Sequence, residues 1–265
     1  MTLTIAQLAL LFGIGLVAGF LNVMAGGGSM ITMPVLVFMG FSGPLANGTN
    51  RIAILVQNLA ASGGYYRQKA AEPKLSLTLS LCAIPGAVIG AYFGTKLEGA
   101  LFNYVLAGVM IFVLIYMIFS QRQKKRLEKT SDSPTDNLSA PANLTRAQNL
   151  AGHLLMFGVG LYGGFIQAGV GILIMACLGS AMGMTLVRAN IHKVFIIGFY
   201  TLVALTIFGI HGHVYWTAGI CLACGNAIGA LVATRVNLRG GDRVVRIILY
   251  LVILAMAAKL IYVNW

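Results

Sequence analysis

GFLNVMAGGGSMITMPVLVFMG, residues 19–40, is an apolar stretch cut by three consecutive glycines, Gly26, Gly27 and Gly28, with Pro34 shortly beyond. Three glycines in a row break a helix rather than continue it. A break at membrane depth must line a protein cavity, because hydrocarbon offers no partner for freed backbone groups. The N–H groups of such a break, and the start of the helix that follows, turn positive dipole towards an anion. The plainer reading of the same residues is a tight surface turn between two spans.

Whether membrane depth applies is decided by composition. Of 265 residues, 58% are hydrophobic and 9% charged, against about 25% charged in an ordinary soluble domain. Apolar runs recur along almost the whole chain, each near the roughly 20 residues that cross a bilayer. They predict helices over about 4–24, 29–41, 46–66, 75–96 and 100–120, then 148–168, 171–183, 189–210, 215–236 and 243–263. The expected fold is therefore an all-α polytopic membrane protein of about eight to ten helical segments, some broken or short near the midplane. No basic n-region or cleavage site marks Met1 to Leu10 as a signal peptide, so the first run is expected to remain.

The 18 Lys and Arg outnumber the 6 Asp and Glu. With no soluble basic domain to hold nucleic acid, this excess reads as a sidedness signal. Gln121 to Asn149 is the one long polar segment; it opens on QRQKKRLEK and continues SDSPTDNLSAPAN, a cytoplasmic linker by composition. It divides a first transmembrane repeat, 1–120, from a second, 150–265. Basic loops near Arg67 and Lys74 and near Arg235 to Arg246 are separated from this linker by even numbers of segments. All three then face one side, the cytoplasm if the membrane is the cell inner membrane, and both termini face the other. Each half has an odd number of crossings, which predicts inverted repeats.

The halves also match in sequence. Gly13, Gly15 and Gly19-Phe20 reappear as Gly158, Gly160 and Gly164-Phe165, and Asn22 falls opposite Gln167. Asn50-Arg51 falls opposite His192-Lys193, and Gly86, Gly90 and Thr95-Lys96 opposite Gly225, Gly229 and Thr234-Arg235. The paired glycines fit close helix contact. Inverted repeats are a common build of secondary transporters, with the substrate near the repeat interface.

Arg51 and Lys193 sit at equivalent positions near the starts of apolar helices. Intramembrane cations mark anion paths, and snorkelling to the interface is the structural alternative. Asn47, Thr49, Asn50, Gln57, Asn58, Asn190 and His192 make the same helices polar. No Asp or Glu lies inside a span, so a carboxylate proton relay is not expected. His192 could respond to protons, although a lone histidine is more often structural; proton coupling is left open. Cys221 and Cys224 lack a second ligand pair and read as small apolar residues, like Cys82 and Cys177. His211 and His213 make a weak surface metal site at best. Ser29 has no base placed with it by any motif, and no HExxH is present, which argues against an enzyme. No cofactor is implied.

The run at 19–40, followed by ANGTNRIAIL at 46–55, resembles the first repeat of the TauE/SafE family of membrane permeases. RANIHKVFIIGFYTLVAL at 188–205, with Gly225 to Val236, resembles the second. The resemblance implies transport of sulfite, organosulfonates, related sulfur oxyanions or small carboxylates. Together these readings predict a secondary transporter of a small anionic substrate, by alternating access in the lipid bilayer, with a homo-oligomer possible. Asn22, Gly26, Gly27, Gly28, Ser29, Asn50 and Arg51 would line one half of its site, and Gln167, Asn190, His192 and Lys193 the other. An anion channel would share the same lining.

Overall fold

The computed structural model describes residues 3–67, 73–128, 145–237 and 243–262, and every long element among them is an α-helix. In chain order these are α1 (Ile5–Ala25), α2 (Ser29–Phe38), α3 (Gly43–Arg67), α4 (Pro73–Gly94), α5 (Gly99–Glu128), α6 (Arg146–Phe165), α7 (Val170–Met182), α8 (Leu186–Ile210), α9 (Trp216–Asn237) and α10 (Arg243–Tyr262). Five, namely α1, α4, α5, α8 and α9, carry stretches long and apolar enough to cross a membrane. Large apolar side chains on their outer faces stay exposed, among them Leu81, Leu101, Phe112, Leu202 and Val232. That is the surface an acyl-chain solvent requires. The fold is an all-α polytopic membrane protein.

α2 ends at Phe38 rather than 41, α3 and α8 begin at Gly43 and Leu186 rather than 46 and 189, and the ends of α5 and α6 also differ from the sequence expectation. α5 continues through the basic stretch to Glu128, because Gln121 to Glu128 contains neither Gly nor Pro and its cations suit a helix C-terminus. α6 stops at Phe165 rather than 168, since Gln167 adopts φ 59°, a left-handed backbone that ends the helix. α6 begins at a capping box in which Thr145 and Gln148 satisfy one another's backbone N–H groups. The linker-like stretch 131–143 and the centres of the other two basic loops lie outside the described residues.

α2 and α7 are short, with 10 and 13 residues, or about 15 and 20 Å at 1.5 Å per residue. Neither spans the roughly 30 Å of hydrocarbon. Each doubles back on the helix before it. Met30, Ile31 and Met33 share a core with Leu21 and Ala25, whereas Leu36 shares one with Leu11. At the far end of α7, Met182 packs against Gly152 of α6. The two elements are therefore helical hairpins, and the Gly-rich breaks are their tips.

Close helix contacts follow the glycines. A Cβ on Gly15 or Gly19 of α1 would strike the backbone of Leu222 or Asn226 in α9, and one on Gly225 or Gly229 would strike Phe12 or Leu16. α6 meets α4 in the same register: Gly160 and Gly164 face Ala83 and Ala87, while Gly86 and Gly90 face Phe157 and Leu161. Numbers rise together along both pairs, so each pair is parallel. α3 and α8 run antiparallel through the centre, with Gly48 beside Phe208 and Asn58 beside Gly198.

Candidate substrate site

The two hairpin tips meet. Gly26, at φ 77°, caps α1 by giving its N–H to Asn22 O at 2.9 Å. A Cβ there would lie 2.8 Å from the backbone of Gly171 and Ile172, so only glycine permits the approach. Across the contact the Ser29 hydroxyl donates to Gln167 O at 3.4 Å and accepts from Gly169 N at 3.1 Å. One side chain at the start of α2 thus holds the other tip by two backbone atoms. Gly28 packs against Ala18 and Asn22 on its own hairpin.

Both cations flank this junction and neither reaches a surface: Arg51 is 0% and Lys193 1% exposed. Snorkelling is therefore ruled out as their reason for being there. Each is committed to the end of a helix in the other half of the chain. Lys193 donates to Asn22 O at 2.8 Å and Val23 O at 3.3 Å, the last turn of α1. Arg51 donates to Gly163 O at 3.2 Å, to Gly164 O, and to Asn47 Oδ1 at 3.2 Å, closing the last turn of α6. Asn47 reinforces it by donating to Phe165 O at 2.7 Å. Helix ends carry about half a negative charge, so the geometry is favourable to each cation. Among the described residues no carboxylate is buried.

The remaining expected residues divide. Asn190 joins the Lys193 cluster, donating to Val23 O at 2.7 Å and to the Tyr65 hydroxyl at 3.2 Å. Gln167 belongs to the Arg51 side, donating through Nε2 to Thr201 Oγ1 at 2.8 Å. Asn50 instead accepts from Thr32 of α2 at 2.6 Å, and His192 pairs with Ser76 of α4 at 2.8 Å. These two tie neighbouring helices to α3 and α8. Sequence reasoning missed Thr32, Tyr200, Thr201 and Asn226, all buried and polar or hydroxylated. Among the described residues no group of His, Cys, Asp or Glu is arranged to hold a metal.

An all-helical bundle with spans, half-length hairpins and buried cations at their tips is the build of a polytopic membrane transporter rather than of a soluble enzyme. The comparisons with known proteins agree. The Sulfite exporter TauE/SafE family matches residues 11–260, and the chain belongs to that family. It is 26% identical over 99% of its length to a "Probable membrane transporter protein" of Haemophilus influenzae, covering 97% of that chain. It is also 26% identical over 96% of its length to "Probable membrane transporter protein ORF9" of a Sinorhizobium species, covering 92% of it. With "Probable membrane transporter protein YfcA" of Escherichia coli K12 the identity is 24%, over 96% of this chain and 90% of the relative. No solved structure matches this chain. It is a multi-pass membrane transporter acting on a small molecule.

Proposed function

We propose that the chain is a secondary transporter of small oxyanions, most naturally sulfite, organosulfonates or related sulfur anions, working by alternating access between inverted repeats. One observation carries the anion: Arg51 is fully buried and holds only neutral acceptors, the carbonyls of Gly163 and Gly164 and Asn47 Oδ1, while no carboxylate is buried among the described residues. Burying an unpaired charge costs several kcal/mol even after relaxation. The end of α6 that Arg51 caps supplies about half a compensating negative charge, which leaves about half a positive charge for an anion to meet. The N-termini of α2 and α7 start at the same junction and add favourable dipole.

Asn22, Gly26 to Ser29, Arg51, Gln167, Asn190 and Lys193 surround that junction; Asn50 and His192 support it from α3 and α8. Inversion is supported by the antiparallel α3 and α8, which carry the equivalent cations, and by the repeated register of α1 on α9 and α6 on α4. The family's name favours sulfite. The basic loops favour a cytoplasmic linker in an inner membrane.

Uptake of labelled sulfite and methanesulfonate into proteoliposomes, with and without a pH gradient, tests the proposal. Saturable uptake, reduced by Arg51→Gln in protein that still elutes as a folded species, is the expected result. Flux that rises without saturation would replace the carrier by an anion channel. Uptake of acetate but neither sulfur anion would move the substrate to carboxylates.

A further inference from the structure

We propose that the anion is bound on one side of the junction only, by Arg51 together with the hydroxyl of Tyr200, with Thr201 and Gln167 completing that wall. Lys193 is then the structural cap of α1 and not a direct ligand. The inference rests on the anion-transport reading above and assigns that site its binding residues.

The two cations differ in what they have left to give. A guanidinium offers five N–H donors; Arg51 uses three, on Gly163 O, Gly164 O and Asn47. Its Nε–H is buried without a hydrogen-bond partner. An ammonium offers three donors, and Lys193 commits two to Asn22 O and Val23 O.

The surroundings differ in the same sense. Tyr200 is 0% exposed, and its hydroxyl, with the Gln167 and Thr201 side chains as polar neighbours, has no partner in good hydrogen-bond geometry. It stands over Gly163, the residue whose carbonyl Arg51 holds: a Cβ on Gly163 would come 2.7 Å from the Tyr200 oxygen. Gly163 is thus gripped by Arg51 at its carbonyl and covered by Tyr200 at its Cα. Four residues on, Gln167 bonds Thr201, the neighbour of Tyr200 on α8, and keeps its own Oε1 unpartnered. Phe208 closes another side, with its ring centroid 4.5 Å from the guanidinium carbon.

Leaving a buried donor unpaired is costly, and such groups call for a ligand, an ion or a water. Here two donors, the charged Arg51 Nε–H and the Tyr200 hydroxyl, lie unpaired in one buried cluster around Gly163, and an oxyanion accepts from both. In the register that pairs Arg51 with Lys193, Tyr200 and Thr201 correspond to Asn58 and Leu59, and Leu59 is 60% exposed. No hydroxyl pair exists beside Lys193 at these positions, so the repeat that shapes the fold does not duplicate the site.

Tyr200→Phe is the decisive variant, because it removes only a hydroxyl that no protein group holds in good hydrogen-bond geometry. A purely structural tyrosine predicts unchanged transport and an unchanged or slightly raised melting temperature. The proposal predicts a KM for sulfite or methanesulfonate raised about tenfold, since a hydrogen bond to a charged ligand is being lost, with the melting temperature unchanged. Thr201→Val is expected to raise KM by a smaller factor. Lys193→Arg, which keeps a cation on the α1 carbonyls, should raise KM by a smaller factor than Tyr200→Phe. If the wild-type protein takes up these anions and Tyr200→Phe does so with the same KM, the hydroxyl is occupied by water and the one-sided site is wrong. A Lys193→Arg shift as large as that of Tyr200→Phe would also overturn it. If the wild-type protein moves none of the anions, the anion reading itself fails, and the two failures are distinguishable.

Discussion

Two residues of opposite reputation, a lysine and a glycine, hold the hairpin tips. Replacing a buried cation by an apolar side chain is sometimes stabilising, because desolvation is relieved. Lys193 is a poor candidate for that gain. Its removal takes a charged donor from the Asn22 and Val23 carbonyls, which keep only the Gly26 N–H and the Asn190 amide, and a lost hydrogen bond to a charged group costs about 1.5–3 kcal/mol. Lys193→Met is therefore expected to lower the melting temperature in detergent by several degrees, with Lys193→Arg recovering most of the loss. An unchanged melt would mean the lysine is held there for its ligand alone. Gly26 is constrained twice, by φ 77° and by the backbone of Gly171. The glycine run and both cations stood out in the sequence as residue types that membranes penalise. What the cations touch did not, because their partners are backbone carbonyls in the opposite half, and a carbonyl leaves no mark in sequence. Tyr200 and Thr201 were hidden for another reason. They sit in FIIGFYTLVAL, where two hydroxyls look like ordinary members of an apolar span; the hint available was that Tyr200 lies seven residues from Lys193, on the same helical face.

Glycines serve unequal purposes along the helices themselves. Gly13 and Gly19 both lie on α1 and both recur in the second half, yet nothing stands within 4 Å of a Cβ at Gly13. A Cβ at Gly19 would come 2.7 Å from Asn226 Cα and 2.8 Å from its carbonyl carbon. Gly in an open helix interior costs about 0.5–1 kcal/mol relative to Ala, so Gly13→Ala should raise the melting temperature slightly. Gly19→Ala forces α1 from α9 and strains the Asn226 to Gln57 hydrogen bond of 3.1 Å. Overpacking of this kind costs about 1–3 kcal/mol, and a lowered melting temperature with poorer yield is expected. Equal behaviour of the two variants would show that α1 and α9 are less tightly joined than their backbones indicate. Helix number and most boundaries were legible, because 20-residue apolar periods are a strong signal. The direction of α2 and α7 was not, since a short apolar run after a break reads alike whether it continues onward or doubles back.

For the whole molecule, the central question is whether α3 and α8 move past one another. They cross antiparallel, and each brings a cation to the opposite half's helix end, so any rocking of the halves must slide this contact. Asn58 Cβ lies 3.8 Å from the Cβ position of Gly198, within the separation a disulfide requires. The pair Asn58→Cys and Gly198→Cys, in a background where Cys82, Cys177, Cys221 and Cys224 are replaced, should therefore oxidise readily. A protease site placed between 131 and 143 would report the bond, since the two halves then stay together on a non-reducing gel. Alternating access between halves predicts that oxidation abolishes uptake and that reduction restores it. Undiminished uptake with the bond fully formed would mean that α3 and α8 move as one body. The moving part would then have to be the hairpins, α1 with α2 and α6 with α7. Their tips are joined by the Ser29 hydroxyl, by the contact of Gly26 with Gly171, and by the packing of Met30 with Ala168 and Ile172.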